Sequence, residues 1–417
     1  MTSQKDFLQY FKDVPKTGVI YVLEKATQMG YSSADASWAN LGQGAPDTEP
    51  LSGNKSVNKG LEVNAENSEY APVAGHLELR KKVADYYNKL YRSHSKSSYS
   101  YKNVCIAGGG RMALSRLVAA FGNINMGHFI PDYTAYEELL SAFKTFIPIP
   151  ILLKEANQYK MPINELREEI LGRGLSALLV SNPCNPTGQY LNEAELSAWV
   201  ALSRELRSMF IFDEFYSHYI YDKKELISAA AHIDDVNEDP VVIINGLSKN
   251  WRAPGWRIGW VLGPESMIEK VSSVGSFMDG GAVHPLQEEA VHLINPEAVH
   301  AEAELIQNEF KEKRDYVLSR LKELGIRVPV APSSTFYCWC DISDLPSPIN
   351  NSDYFFEECL KEKVIVVPGE FFDVNPGKRR LKQHSRYKRY IRLSFGPKMQ
   401  RLITGLSSIE RVIKKFS

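Results

Sequence analysis

The sequence has almost no net charge and no long apolar run. Its 49 lysine and arginine residues balance 50 aspartate and glutamate residues, which gives no electrostatic support for nucleic acid or an anionic membrane as partner. No stretch approaches the ~20 apolar residues that span a bilayer. The amphipathic segment 1–18 lacks the apolar centre and small-residue cleavage site of a secretory signal. We therefore expect a soluble, cytoplasmic protein.

Cysteines and nucleotide motifs are also sparse. Five cysteines are scattered through the chain. Cys338 and Cys340 alternate in a strand-like run without a second pair to complete a zinc set, which favours buried small side chains. The spacings GxGxxG and GxxxxGK[ST] are absent. Because no carboxylate or histidine cluster completes a ligand set in the sequence, we expect no metal.

What is present is an alternating pattern. Between about residues 75 and 265, short apolar segments alternate with segments of helical periodicity, which predicts an α/β fold with a mostly parallel sheet flanked by helices. From about residue 300, a long charged helix and new strand-like runs predict a smaller α+β domain. The basic segment 371–390 is interpreted as a solvated face.

The length and the 44% hydrophobic content allow more than one domain. We expect residues 1–50 to form an N-terminal arm and part of the small domain. Residues 51–295 are expected to form the large domain, and residues 296–417 the C-terminal small domain.

Polar residues follow the predicted strands, and ligands of parallel sheets bind at the carboxyl ends of strands. The segments are AGGGR (107–111), PDYTAY (131–136), SNPCNPTG (181–188), DEFYSHY (213–219) and GLSKNWRAPGWRIG (246–259). In the last segment Lys249 stands among aromatic and apolar residues. A buried lysine has a lowered pKa, as a Schiff-base lysine requires, although a lone lysine is also compatible with an exposed loop edge.

In this order the five segments resemble the fold-type I pyridoxal-phosphate enzymes, class I/II of the aspartate aminotransferase superfamily. The resemblance extends from NLGQGAPD at Asn40 to YIRLSFG at Tyr390, nearly the whole chain. It implies the large and small domains of that fold, pyridoxal 5'-phosphate as cofactor, and an aminotransferase acting on an amino acid and a 2-oxo acid.

The resemblance also implies roles at the cofactor ring. Lys249 would form the imine with the cofactor and act as general acid and base. Asp213 would face the pyridine nitrogen, Tyr216 and Asn185 would bind the ring oxygen, and Tyr133 would stack on the ring.

The cofactor phosphate and the substrate are assigned by the same resemblance. The residues that match the family's phosphate site are Gly109, Gly110, Arg111, Ser248, Arg257 and, from a neighbouring subunit, Tyr70. A homodimer with shared active sites is therefore implied. Arg392, Gly44 and Asn185 match the positions that hold the substrate.

Substrate choice rests on weaker signals. No second arginine matches a side-chain carboxylate site, so neutral or basic donors are expected to exceed aspartate, with Asp279 a candidate contact for a basic group. Asp279 and His284 could equally be turn residues, and Arg252 a surface residue. Two further positions depart from the family pattern: Gly246 replaces a frequent serine, and Ser334 a frequent glycine.

Two other functions are considered. The same residues could support amino-acid oxidation, elimination or cyclisation, as in arginine-modifying biosynthetic enzymes, because pocket details decide the fate of a common intermediate. A transcription regulator built on this fold carries a DNA-binding domain ahead of it. The family pattern is under way by residue 40, so this reading is disfavoured.

Overall fold

The computed structural model describes residues 14–51, 61, 63–143, 145–222 and 226–417, with Lys382 described by its backbone alone. The strands are β1 (Ala39–Asn40), β2 (Val104–Ala107), β3 (Asn125–Ile130), β4 (Ile147–Leu152), β5 (Leu175–Ser181), β6 (Met209–Asp213), β7 (Val241–Gly246), β8 (Gly259–Leu262), β9 (Tyr337–Asp341), β10 (Val364–Ile365), β11 (Val367–Pro368) and β12 (Tyr390–Ser394). The helices are α1 (Gly18–Gln28), α2 (Leu77–Tyr91), α3 (Gly110–Ala119), α4 (Tyr136–Ala142), α5 (Ile163–Arg173), α6 (Glu193–Leu206), α7 (Leu247–Asn250), α8 (Glu265–Met278), α9 (His284–Leu293), α10 (Val299–Glu323), α11 (Ser352–Lys361) and α12 (Met399–Phe416).

A seven-stranded sheet forms the centre of the molecule, in the order β2-β8-β7-β6-β5-β3-β4. The pairs from β7 to β4 are parallel, whereas β8 runs antiparallel to both of its neighbours. Strand β7 is buried along its whole length, as expected for a strand covered on both faces. Helix α3 packs on β8, α5 on β5 and α6 on β6. The predicted α/β architecture is confirmed.

A smaller antiparallel sheet, in the order β11-β12-β9, lies in the C-terminal part of the chain. The short strand β1 pairs with β10, so residues near the N-terminus join the C-terminal part. Helix α12 packs on β1 through a buried stripe that includes Leu402, Leu406 and Ile409. The boundaries 1–50, 51–295 and 296–417 stay a prediction, and residues 1–13 of the expected arm lie outside the described residues.

The basic segment 371–390 is more buried than the sequence predicted. Phe372 and Asp373 are buried, and Asp373 pairs with Arg380 at 2.6 Å. Tyr387 is buried against Trp339, at 5.3 Å between ring centroids. The interpretation as a solvated face was therefore wrong for these positions, because aromatic residues between the basic ones anchor the segment on the small sheet.

Cysteines behave as predicted. All five are free and buried, and Cys338 and Cys340 lie in β9. Within the described part of the chain, no helix combines the length and apolar character that crossing a membrane requires.

Candidate active site

A cavity of about 1140 Å³ opens at the carboxyl ends of the central strands. Ser181 ends β5 beside Asp213, which ends β6, and Lys249 follows β7 in the short helix α7. Arg392 reaches the same cavity from β12 of the small sheet. The size is that of a small-molecule site, and the wall combines apolar residues with a few charged groups.

A candidate anion site lies at the start of α3. Gly109 precedes this helix with a φ of +84°, and a Cβ there would lie 2.2 Å from Arg257 Nη2, so only glycine lets the guanidinium approach. Arg257 Nη1 lies 3.4 Å from Ser248 Oγ. Gly110 and Arg111, the first residues of α3, complete a set of amide, hydroxyl and guanidinium donors beside a helix N-terminus.

Close backbone packing explains one departure from the family pattern. A Cβ at Gly246 would lie 2.6 Å from the Cα of Gly259, and one at Gly259 would lie 2.8 Å from the carbonyl carbon of Gly109. A serine at position 246 does not fit without a backbone shift. The other departure, Ser334, is buried and its Oγ donates to the Gly188 carbonyl at 2.8 Å.

Lys249 projects into the cavity, where its Nζ donates to the carbonyl oxygen of Gly44. Burial lowers the pKa of Lys249 to about 7, and the positive charges of Arg392, Arg111 and Arg257 act in the same direction. A large fraction of this amine is therefore neutral near pH 7, which is the form that attacks a carbonyl carbon.

Asp213 is held by a residue that the sequence analysis did not assign. Tyr136 Oη donates to Asp213 Oδ2 at 2.6 Å, from the first residue of α4. Burial raises the pKa of Asp213 to about 6, and the hydrogen bonds from Tyr136 and from the Phe215 amide oppose the rise. The sequence signal for this residue was the second tyrosine of PDYTAY, three residues after Tyr133. In the structure the rings of Tyr133 and Tyr136 pack edge to face, with 5.4 Å between their centroids.

Tyrosines also line the cavity. The Oη atoms of Tyr216 and Tyr337 lie 2.9 Å apart. Tyr133 accepts hydrogen bonds from Arg111, at 3.1 Å from Nε and 2.8 Å from Nη2. Tyr337 is a second site residue that the sequence analysis left unassigned, although it stands in the Phe-Tyr pair of β9.

Arg392 is fully buried and pre-oriented. Its Nη1 donates to Asn185 Oδ1 at 3.1 Å and its Nη2 to the Gly42 carbonyl at 2.9 Å, while its guanidinium carbon lies 4.1 Å from the ring centroid of Tyr337. Its Nε is buried without a hydrogen-bond partner among the described residues. A buried donor of this kind suits a planar anion entering from the cavity.

The remainder of the cavity wall combines apolar residues with polar ones, among them Ser32, Gln43, Ser115 and the carboxylate of Glu138. Among the described residues, the cations that line it are Arg111, Lys249, Arg257 and Arg392. The apolar residues beyond them come mainly from α1, α4 and the end of α8, and are Val19, Val22, Leu23, Leu139, Phe143 and Met278.

Two residues weighed for roles near the site have structural partners instead. Both carboxylate oxygens of Asp279 accept hydrogen bonds from Arg116, whose side chain is fully buried. Asp279 therefore forms a structural ion pair, which argues against its suggested contact with a basic substrate. Arg252 donates to the carbonyl oxygens of Asp47 and Glu49, at 2.8 and 2.7 Å, and holds that loop.

Tyr70 does not enter the cavity of its own chain. Its side chain is 96% exposed, whereas the other predicted phosphate residues converge at the start of α3. Its proposed contact with a neighbouring subunit stays a prediction.

The residues fit a phosphorylated pyridine aldehyde. The amide and guanidinium donors match a phosphate, the Asp213 carboxylate matches a protonated ring nitrogen, and the Lys249 amine matches an aldehyde. Together with the mostly parallel seven-stranded sheet, this set defines the class of fold-type I pyridoxal-phosphate enzymes.

Comparison with known proteins gives the family. The profile described as aminotransferase class I and II matches residues 36–402. A probable aspartate/prephenate aminotransferase of Aquifex aeolicus is 27% identical over 363 residues, 84% of each chain. An aromatic-amino-acid aminotransferase of Thermococcus litoralis is 27% identical over 387 residues, 90% of this chain and 92% of its own.

The fold of this chain is also similar to that of a solved aminotransferase structure. The structure of aspartate aminotransferase from Thermus thermophilus with maleate superimposes with a TM-score of 0.78 over 99% of this chain and 100% of its own, at 23% identity. The chain belongs to the class I and II aminotransferase family. It is a pyridoxal-phosphate-dependent aminotransferase that moves an amino group between an amino acid and a 2-oxo acid, and the oxidation, elimination or cyclisation alternative is not favoured.

Proposed function

We propose that the cavity at the carboxyl ends of β5, β6 and β7 is the transamination site, with Lys249 as the covalent attachment point and proton carrier. The observation that carries this proposal is that Lys249, the α3 anion site and Arg392 line one cavity, in which burial lowers the pKa of Lys249 to about 7. Pyridoxal phosphate, when bound, supplies the electron sink that makes the substrate α-carbon acidic.

The residues of the chain then divide the remaining tasks. Gly109, Gly110, Arg111, Ser248 and Arg257 bind the phosphate through amide, hydroxyl and guanidinium donors. Asp213, oriented by Tyr136, holds a proton on the ring nitrogen. Tyr216 and Asn185 donate to the ring oxygen, and Tyr133 covers one face of the ring.

Lys249 carries the proton. With pyridoxal phosphate bound, Lys249 would hold the cofactor through its Nζ, and the neutral Nζ would accept the proton of the substrate α-carbon and later donate it again. A pKa lowered by burial from the ordinary lysine value suits both directions of transfer, because the amine then gives up and takes back a proton more readily near neutral pH.

Arg392 holds the substrate carboxylate. Five N–H donors are available on a guanidinium, and the contacts with Asn185 and Gly42 use two of them, which leaves three, including the unpartnered Nε. The planar fork suits a carboxylate in a way that a lysine ammonium does not. Gly44, whose carbonyl accepts from Lys249 Nζ, would contact the same carboxylate through its backbone.

The side-chain end of the site favours neutral donors. Each cation on the cavity wall, among the described residues, already serves the phosphate, the covalent link or the α-carboxylate. A side-chain carboxylate would find no free cation in the described part of the wall and would share that wall with the carboxylate of Glu138, which disfavours it. We therefore propose amino acids with apolar or aromatic side chains as better donors than aspartate. This proposal concerns the described residues, which do not include residues 1–13.

A second copy of the chain completes the site. Tyr70 (96% exposed), Phe277 (75%) and Val283 (54%) belong to two neighbouring segments, since His284 Nδ1 lies 3.1 Å from the Glu69 carbonyl. Exposed apolar side chains so close together are typical of an interface. We propose a homodimer in which Tyr70 of each subunit reaches the phosphate in the other.

The cellular setting is proposed on simpler grounds. All five cysteines are free and buried, which agrees with a reducing compartment, and we propose a cytoplasmic role in amino acid metabolism and biosynthesis.

The proposal is tested by trapping the cofactor link. Borohydride should fix the cofactor on the peptide that contains Lys249, and an amino donor added without a 2-oxo acid should bleach the absorbance of the linked form. Lys249→Ala should lose both signals, with Lys270→Ala, on the exposed surface of α8, as matched control. Normal turnover by Lys249→Ala would contradict the assignment.

A further inference from the structure

Two histidines and a glutamate meet outside the active-site cavity. His76 precedes α2, His284 begins α9, and Glu288 lies one helical turn further along α9. One ligand-type atom from each residue lies within 4.8 Å of the others. The pair at i and i+4 projects from one face of α9 toward His76, whose ring centroid lies 5.6 Å from that of His284.

The outer hydrogen bonds prepare two of these groups to bind a cation. His284 Nδ1 lies 3.1 Å from the Glu69 carbonyl oxygen, which can only accept, so Nδ1 carries the proton and Nε2 presents its lone pair. Glu288 Oε2 accepts from Asn67 Nδ2 at 2.8 Å, leaving Oε1 directed at His284 Nε2. Histidine and carboxylate ligands oriented by such outer contacts are typical of metal centres.

The third residue, His76, has a buried ring nitrogen, Nδ1, that forms no hydrogen bond with the described residues. Its backbone amide donates to Gln287 Oε1 at 2.8 Å, so its position beside α9 is fixed. His284 Nε2 and Glu288 Oε1 lie 3.7 Å apart, which is too far for a hydrogen bond. These two atoms, which face each other in the cluster, are therefore not hydrogen-bonded to each other.

We propose that His76, His284 and Glu288 bind a divalent transition-metal ion, with Zn²⁺ the best match. Two imidazoles and a carboxylate suit Zn²⁺, and three protein ligands leave the fourth tetrahedral position to water. Metal–ligand bonds of ~2.0–2.2 Å place tetrahedral ligands ~3.3 Å apart, so side-chain rotation closes the observed spacing on binding. From the sequence we expected no metal, because His76 and His284 are distant in the chain.

The site would brace the segment that carries Tyr70. Asn67 and Glu69 hold the ligands from one side of Tyr70, while His76 is itself a ligand on the other. A bound ion therefore fastens both ends of this segment to α9. Metal binding itself is independent of the proposed dimer contact.

Metal binding is measured on the holoenzyme. After treatment with a chelator and its removal, titration with Zn²⁺ alone should give one ion per chain by calorimetry and by elemental analysis. His284→Ala, His76→Ala and the conservative Glu288→Gln should each lose this stoichiometric binding. Asn67→Ala, which removes only an orienting contact, should weaken the affinity ~10–100-fold.

His94→Ala is the matched control, because His94 is exposed and lies outside the cluster. Cofactor absorbance and circular dichroism, unchanged in each variant, exclude unfolding as the cause. Substitution with Co²⁺ should give the visible absorption of a tetrahedral centre in the wild type and not in His284→Ala. Equal Zn²⁺ binding by wild type and His284→Ala, or no binding by wild type at micromolar Zn²⁺, would overturn the proposal.

Discussion

Replacing Arg392 tests how the substrate is held. Arg392→Ala removes a fully buried guanidinium that retains three free N–H donors for a carboxylate after its contacts with Asn185 and Gly42. A hydrogen bond to a charged group contributes ~1.5–3 kcal/mol, so a two-point contact contributes ~3–6 kcal/mol. Since ~1.36 kcal/mol is tenfold in rate, kcat/KM for amino acid donors should fall about 10²- to 10⁴-fold.

The substitution has a second effect that the assay must separate. The positive charge of Arg392 helps to lower the pKa of Lys249, so its loss raises that pKa and slows every donor at neutral pH. Phenylalanine and phenethylamine differ only in the carboxylate and therefore isolate the binding term. Single-turnover rates for both should be compared in wild type and in Arg392→Ala.

Arg392→Lys provides the control for charge without geometry. It keeps a cation near Lys249 but loses the planar fork, so its rate with phenylalanine should lie between those of wild type and Arg392→Ala. The reasoning is refuted if Arg392→Ala slows phenylalanine and phenethylamine equally, because the carboxylate contact would then lie elsewhere.

Three further predictions follow from other parts of the site. In cofactor-free protein, the rate of cofactor attachment should rise with pH and level off above about 7, because the pKa of Lys249 is lowered and only the neutral amine attacks. Stopped-flow absorbance measures this rate. A rate that continues to rise up to the ordinary lysine pKa of 10.5 would contradict the prediction. Mixing inactive Tyr70→Ala with inactive Lys249→Ala should restore activity through hybrid dimers with one intact site, and its absence after confirmed subunit exchange would count against a shared site. Asp279→Asn should lower the free energy of unfolding by ~3 kcal/mol in urea, because Arg116 is left buried without its carboxylate, whereas a selective loss of basic donors would restore the substrate role that the ion pair argues against.

The fold class and the order of the site residues could be predicted from local sequence. An apolar run such as VVIING forms a buried strand, β7, at the centre of the sheet. Polar residues directly after parallel strands meet at one edge of the sheet. The resemblance of the five segments to one family could therefore be recognised from residues and spacing. Lys249, Asp213 and Arg392 were assigned that way and line one cavity in the structure.

Tertiary structure alone decided which side chains are partners. Asp279 faces Arg116 instead of the cavity, Tyr136 bonds Asp213, and His76 meets His284. None of these pairs has a periodic signature, because residues distant in the chain are brought together by how helices pack on the sheet. Sequence determined the fold and the chemical groups of the site, since burial and strand order depend on local composition. Packing decided the charge states and contacts of those groups, since hydrogen bonds and pKa shifts depend on neighbours a few ångströms away.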